Sequence, residues 1–388
     1  LATYLPEWQG LSEPGHGSDA LYAAIEMLAG CPLPAGQLES GILPSRVSGY
    51  TPHLLDDLLT RGEIVWWGAG AVPGDDGWVC LAPADLAPLL VPATVAPEND
   101  LERRILEIMS QRGAQFLREV AADLSREALV PEIDVARSLR RLAWAGAVTN
   151  DTWEPMRRGA PRRPPRPRRS RSRLGRPRDP LGGRWSLVPA PDSSTTARHL
   201  AGVEALLERN GIVTRETVAS AGLPGGFAAA HRVLTAVEDA GRCRRVYALE
   251  GQGAAQFALP GAIDLLRREV TAGARALAVA DPAQPYGALL PWPDAATRPL
   301  RTPGAWIALY GATPRLYLAR GRRSLITWPG PGLHEAAVSL VTALRGESVH
   351  VQRIDGADAA SLDAGSPIMC ALTGAGFVST PSGLRLRS

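Results

Sequence analysis

Lysine is missing from all 388 residues, so every positively charged side chain other than histidine is arginine. A phosphate-binding P-loop needs the lysine of G-x-x-x-x-G-K-[ST] to reach the nucleotide phosphates, and Schiff-base catalysis needs a side-chain amine. Neither is available here. Cysteine is scarce as well: Cys31, Cys80, Cys243 and Cys370 lie far apart and form no C-x-x-C pair. A zinc site or a disulfide framework is therefore not expected, and free thiols in a reducing cytoplasm are. Long apolar runs are also absent. Pro, Gly or a charge interrupts each one short of the roughly 20 residues a membrane span requires. Leu1 in place of Met gives the expectation of a piece of a larger polypeptide.

Hydrophobic residues make up 45% of the chain, which suits a protein of several domains with cores of their own. The net charge of +3 is unevenly placed. Residues 157–184 hold twelve Arg and one acid, Asp179, a local +11, so the remainder carries 3 − 11 = −8. A uniformly basic surface is excluded. Phosphate contacts must come from local faces and from this Arg/Pro stretch, which has too few apolar residues to offset ordering by burial. It reads as a disordered, extended linker that is also suited to non-specific polyanion contact.

One plan recurs on both sides of that stretch. Residues 101–153 show a helix entered through Asn99-Asp100, a second through Phe116-LREVAADL, and a third from Glu132 to Gly146. A hairpin expected to turn at Asn150-Asp151 follows. Residues 197–260 repeat the order: helices ending at Gly211 and Gly241, then Arg242-CRRVYALE, a turn at Gly251, and Ala254-AQFALP. The first 98 residues fit a third copy, with Thr51-PHLLDDLLTR stopped at Gly62 and an aromatic hairpin (Trp66, Trp67, Trp78). Three helices and a β-hairpin wing describe a winged helix. After residue 271 short apolar strands alternate with turns. The expected class is thus α+β: winged helices at 1–98, 99–156 and 185–270, the linker at 157–184, and a β-barrel-like module at 271–388.

Within the second module, Val135, Leu139 and Leu142 make a buried stripe, which turns Arg137, Arg140 and Arg141 outward as candidate phosphate contacts. A solvated basic face is the plainer alternative. In the first module Asp56 and Asp57 would repel phosphates, so that copy is expected to be structural or to dock protein. The third offers its wing, Arg242, Arg244 and Arg245, and the last module offers Arg322 and Arg323. Gly251-Gln-Gly joins two strands rather than opening a helix, so it is not a dinucleotide fingerprint. Asp281 leads a Pro-rich turn near Tyr286 and Trp292. Either it caps that turn, or it is a carboxylate beside stacking aromatics of the kind a base-flipping site uses. Asp355 is a second candidate acid.

Several stretches together resemble the large helicase-related (Lhr) family: Leu5-PEWQG, Ile42-LPSRV with Gly62-EIVWWG, Ala145-GAVTNDTW, Gly183-RWSL, Gly225-GFAA, Gly253-AAQFALPGA, Asp281-PAQPYGALLPWP and Thr380-PSGLRLR. The resemblance implies the C-terminal extension of a superfamily 2 DNA-repair helicase, tandem winged helices ending in a β-barrel. It further implies an ATP- and Mg-using motor upstream in cis, no cofactor in this region, and DNA, single-stranded or at a junction, as partner. The region around Tyr50-TPHLLDDLLTRGEIVWW also resembles AlkZ/YcaQ-type DNA glycosylases, whose Q-x-Q or Q-x-D motif aligns with Leu43-Pro44-Ser45-Arg46, where neither Gln nor acid stands. Uracil removal, linked to the C-terminal region of Lhr, is the enzymatic alternative. It would be monofunctional without lysine and assisted by Asp281 or Asp355. Self-association through the acidic first module and the aromatic hairpin is a third.

Overall fold

The computed structural model describes all residues except 75, 94–95, 127–128, 158–180, 253–254, 269–272 and 387–388. Two compact units divide the chain. Unit 1 comprises Leu1–Gly15, Gln37–Ser48 and Val203–Ser388; unit 2 comprises His16–Gly36 and Gly49–Gly202. Unit 1 opens with helix α1 (Tyr4–Trp8).

Unit 2 holds two modules. The first has α2 (Gly17–Met27), β1 (Leu33–Pro34), α3 (Pro52–Thr60) and the long hairpin β2 (Ile64–Val72) and β3 (Asp76–Pro83). Its sheet order is β1-β3-β2. The second has α4 (Asp100–Arg112), β4 (Gln115–Phe116), α5 (Leu117–Ser125), α6 (Glu132–Trp144), β5 (Val148–Asn150) and β6 (Arg184–Leu187), with order β4-β6-β5. The Asn99 side chain caps α4 by accepting from Glu102 N, as the sequence predicts.

The pairing of β5 corrects the sequence reading. No hairpin turns at Asn150-Asp151; Val148 pairs Leu187 and Asn150 pairs Trp185, beyond the Arg/Pro stretch. Residues 184–187 therefore complete the second module's sheet instead of opening the third module. The cause is local. The Asp151 carboxylate accepts from the backbone N–H of Arg184 and from its Nε at 2.7 Å, closing the mouth of the excursion. Leu181 and Trp185 are buried on the return. The expected linker disorder falls on residues 158–180, outside the described residues. Its flanks are ordered, with Arg157 in a short helix and Arg184 in β6.

The first module's hairpin meets the second module closely. A Cβ at Gly68 would lie 2.1 Å from the Ala143 carbonyl, and one at Gly77 would strike the Trp144 ring. Trp66 is buried, donates to the Asn150 carbonyl at 2.9 Å and packs edge-on to Trp153.

In unit 1, α7 (Thr195–Asn210, from Val203 on), β7 (Ile212–Val213), α8 (Arg215–Ala221), α9 (Gly226–Asp239), β8 (Arg244–Val246) and β9 (Gln256–Ala258) form a third module, with sheet order β8-β9-β7. In all three sheets the first short strand pairs with the last, and the last with the middle one. After α10 (Pro260–Leu266) comes a six-stranded sheet: β10 (Ala274–Ala278), β11 (Trp306–Tyr310), β12 (Thr313–Leu318) and β13 (Ser324–Thr327), followed beyond α11 (Leu333–Ala343) and β14 (Val349–Val351) by β15 (Arg353–Ile354) and β16 (Ala357–Asp358). Helix α12 (Pro367–Gly374) then leads to β17 (Phe377–Thr380) and β18 (Gly383–Leu386). The orders are β10-β11-β12-β13-β15-β16 and β14-β18-β17.

Alternation along β11 and β12 sends Trp306, Ala308, Leu316 and Leu318 into a core shared with α11, α12 and the small sheet. Ile307, Leu309 and Tyr317 go into a second core with Leu11. The expected barrel is not closed. Among the described residues β10 and β16 remain edges and do not pair. A two-sided apolar sheet buries both faces under helices and loops and has no lumen to fill.

Candidate nucleic-acid interface

Asp281 is expected to be a carboxylate beside stacking aromatics. The aromatics are there: Tyr286 stacks on Trp292 with ring centres 6.0 Å apart, and Trp292 meets Tyr317 edge-on. Burial pushes the Tyr286 and Tyr317 hydroxyls up, so both stay protonated, donating to the Ala312 and Leu300 carbonyls. The carboxylate, however, is 1% exposed and gripped by Arg46, whose Nη atoms donate to Oδ2 at 2.9 Å and Oδ1 at 2.8 Å. Oδ1 also accepts from Ala283 N. The same guanidinium donates to Gln9 and to the Ile42 carbonyl. Asp281 is thus a buried clasp for α1, the Gln37–Ser48 segment and the turn after β10. It is not an open acid. Asp355 sits at φ 52°, its oxygens accepting from Thr327 N at 2.8 Å and Thr327 Oγ1 at 2.5 Å. Both carboxylates hold loops.

Arg46, Gln9 and Gln37 are the residues that sequence reasoning missed. Gln37 is buried, donating to Ala305 O and accepting from Gly304 N. Their signal, polar side chains inside apolar surroundings, is visible only once distant segments meet.

The stripe of Val135, Leu139 and Leu142 is buried as expected. The arginines opposite do not form an open cationic face. Arg140 is buried, donates to Pro155 O at 2.9 Å and stacks on Trp144, which corrects its assignment to the outer surface. Pro155 reaches it because the chain folds back after β5. Arg141 Nε lies 2.7 Å from Glu102, a buried carboxylate, and the half-exposed Arg137 pairs with Asp134. Asp56 is likewise structural: it accepts from Trp153 N and Arg157. Every described arginine of unit 2 has such a partner.

Unit 1 differs. On the third wing Arg242 pairs with Glu204, and Arg245 with Glu238 at 3.1 Å while lying over Phe257. Arg244 between them is exposed, and its guanidinium has no partner among the described residues. The same holds for Arg232 on α9, which sequence reasoning passed over. Farther along, Arg322 is tied to Glu347. Arg323, Arg353 and Arg385 are exposed and unpartnered among the described residues, and Arg353 N donates to the Arg323 carbonyl, so those two lie side by side where β13 and β15 begin. Burial, with Glu238 adding to it, pushes the Cys243 thiol up against the opposing pull of Arg242. All four cysteines are free, and among the described residues no His, Cys, Asp or Glu cluster could hold a metal. No helix among them is long and apolar enough to cross a membrane.

Two family models, each described as a large helicase-related protein winged-helix domain, match residues 1–84 and 192–277. A protein of Mycolicibacterium smegmatis named "Lhr helicase/ probable uracil glycosylase" is 39% identical over 422 aligned residues, which take in all of this chain. An Escherichia coli protein named "Lhr helicase/uracil glycosylase" is 34% identical over 96% of the chain. The chain belongs to the Lhr family. It represents the C-terminal region and spans 28% and 26% of the lengths of those two relatives. The winged helices matched in Lhr are the first and third modules; residues 85–191, with the middle module, lie outside both matches.

Proposed function

We propose that this region of Lhr is a DNA-binding segment working in cis with an ATP- and Mg-dependent superfamily 2 motor in a repair helicase. The middle module is read as a further winged helix, since its sheet order repeats that of its neighbours. The observation that carries the reading is the pair of exposed, unpartnered guanidinium groups on the third module, Arg232 on α9 and Arg244 on the wing. Those are the two elements a winged helix brings to a sugar-phosphate backbone. Arg323 and Arg353 are further phosphate-seeking candidates on the last module. Each neutralised phosphate releases counterions, so affinity should fall steeply between about 50 and 200 mM salt. Fluorescence anisotropy of labelled DNA across that range tests it, and a flat response would discard the reading.

Uracil removal is the second reading, favoured by the printed names of both relatives. With no lysine in the chain, such an activity would be monofunctional and leave an abasic site. Its carboxylate would have to be other than Asp281, which Arg46 occupies. Incubation with uracil-containing single strands followed by alkali decides: uncut strands would exclude it. Self-association through the aromatic hairpin has less support, because Trp66 and Trp67 are buried.

A further inference from the structure

Resting on the DNA-binding reading, we propose that Tyr247 is a stacking platform for an unpaired nucleobase, making the third wing selective for single-stranded nucleic acid. Tyr247 directly follows β8 and is 86% exposed. Its neighbours Val246 and Ala248 pack with the cluster around Tyr4 and Leu5, and Ala248 N is held by Gln256. The backbone on either side is therefore anchored while the ring between stays in solvent. Among the described residues its ring meets no other aromatic ring and its hydroxyl makes no hydrogen bond. A lone exposed aromatic is ordinary on a protein surface. This one lies one residue beyond β8, three positions after the unpartnered Arg244 that opens that strand. Guanidinium for backbone and aromatic face for base is the pairing by which single strands are held without sequence readout. In a duplex the base faces are already covered, and exposing one costs unstacking.

The test uses the full chain with oligothymidylate and with its duplex on oligoadenylate, followed by anisotropy at several salt concentrations. Tyr247→Ala is expected to weaken single-strand binding about tenfold, leave the duplex unchanged and keep the salt slope, since stacking releases no counterions. Tyr247→Trp should bind as the parent does. Arg244→Ala should instead lower the single-strand salt slope by about 0.7. If Tyr247→Ala binds as the parent while Arg244→Ala is weakened, stacking is overturned and the DNA reading stands. Equal losses on both DNA forms would overturn the selectivity. If the parent binds neither DNA, both readings fall together.

Discussion

Arg46 and Asp281 lie 235 positions apart and meet at side-chain exposures of 2% and 1%. Removing one partner of a buried ion pair strands the other without water, which costs about 3–5 kcal/mol. Asp281→Asn should therefore lower stability by that order in urea unfolding, and Arg46→Met with Asp281→Leu should recover part of it. A catalytic carboxylate would behave otherwise, losing turnover with unfolding unchanged. The Pro-rich turn pointed to Asp281 in the sequence, but nothing near it pointed to Arg46. The same limit explains Arg140. The 135, 139, 142 spacing gives the buried stripe, whereas the flank is buried by Pro155, from a loop the helical period does not contain. Thiol reactivity follows burial as well. The exposed Cys370 should react first with a disulfide reagent, and Cys243, its thiol pushed up and its side chain buried, only on unfolding.

Secondary-structure elements were the most legible level, because their stops are local. Gly62, Gly146 and Gly241 each end a helix at φ near 70°, a conformation that side chains with a Cβ resist, and each leads into a strand as the repeat suggested. Strand partners were not legible, since periodicity names a strand without naming its neighbour. The Asn150-Asp151 hairpin failed for that reason: Asp151 holds Arg184 in place of turning the chain. Loop entropy grows only with the logarithm of length, about 0.6 kcal/mol per doubling. Replacing residues 158–180 by a short Gly/Ser linker should then shift the urea midpoint by an equivalent of about 1 kcal/mol at most. Gly68→Ala should do more, about 1–3 kcal/mol by the same measurement, because its Cβ meets the Ala143 carbonyl at 2.1 Å.

At the scale of the molecule, composition located the charge correctly in one respect and misled in another. Outside the Arg/Pro stretch the chain is acidic, and in unit 2 every described arginine has a partner. The available cations are left on unit 1. Replacing Arg232 and Arg244 together by Ala should accordingly weaken DNA binding and flatten its salt dependence, while the corresponding change at Arg137 and Arg141 should leave the slope unaltered. Barrel closure was over-read from strand texture, since short alternating strands fit an open two-faced sheet equally well. The chain order of the two units has a further effect. Each unit takes residues from both sides of 158–180: unit 1 from Leu1–Gly15 and Val203–Ser388, unit 2 from α2 through to β6. A protease that cuts after an arginine within that stretch would release two polypeptides on a denaturing gel. The nicked material should still elute from a sizing column as one particle, because neither fragment carries a complete unit away with it.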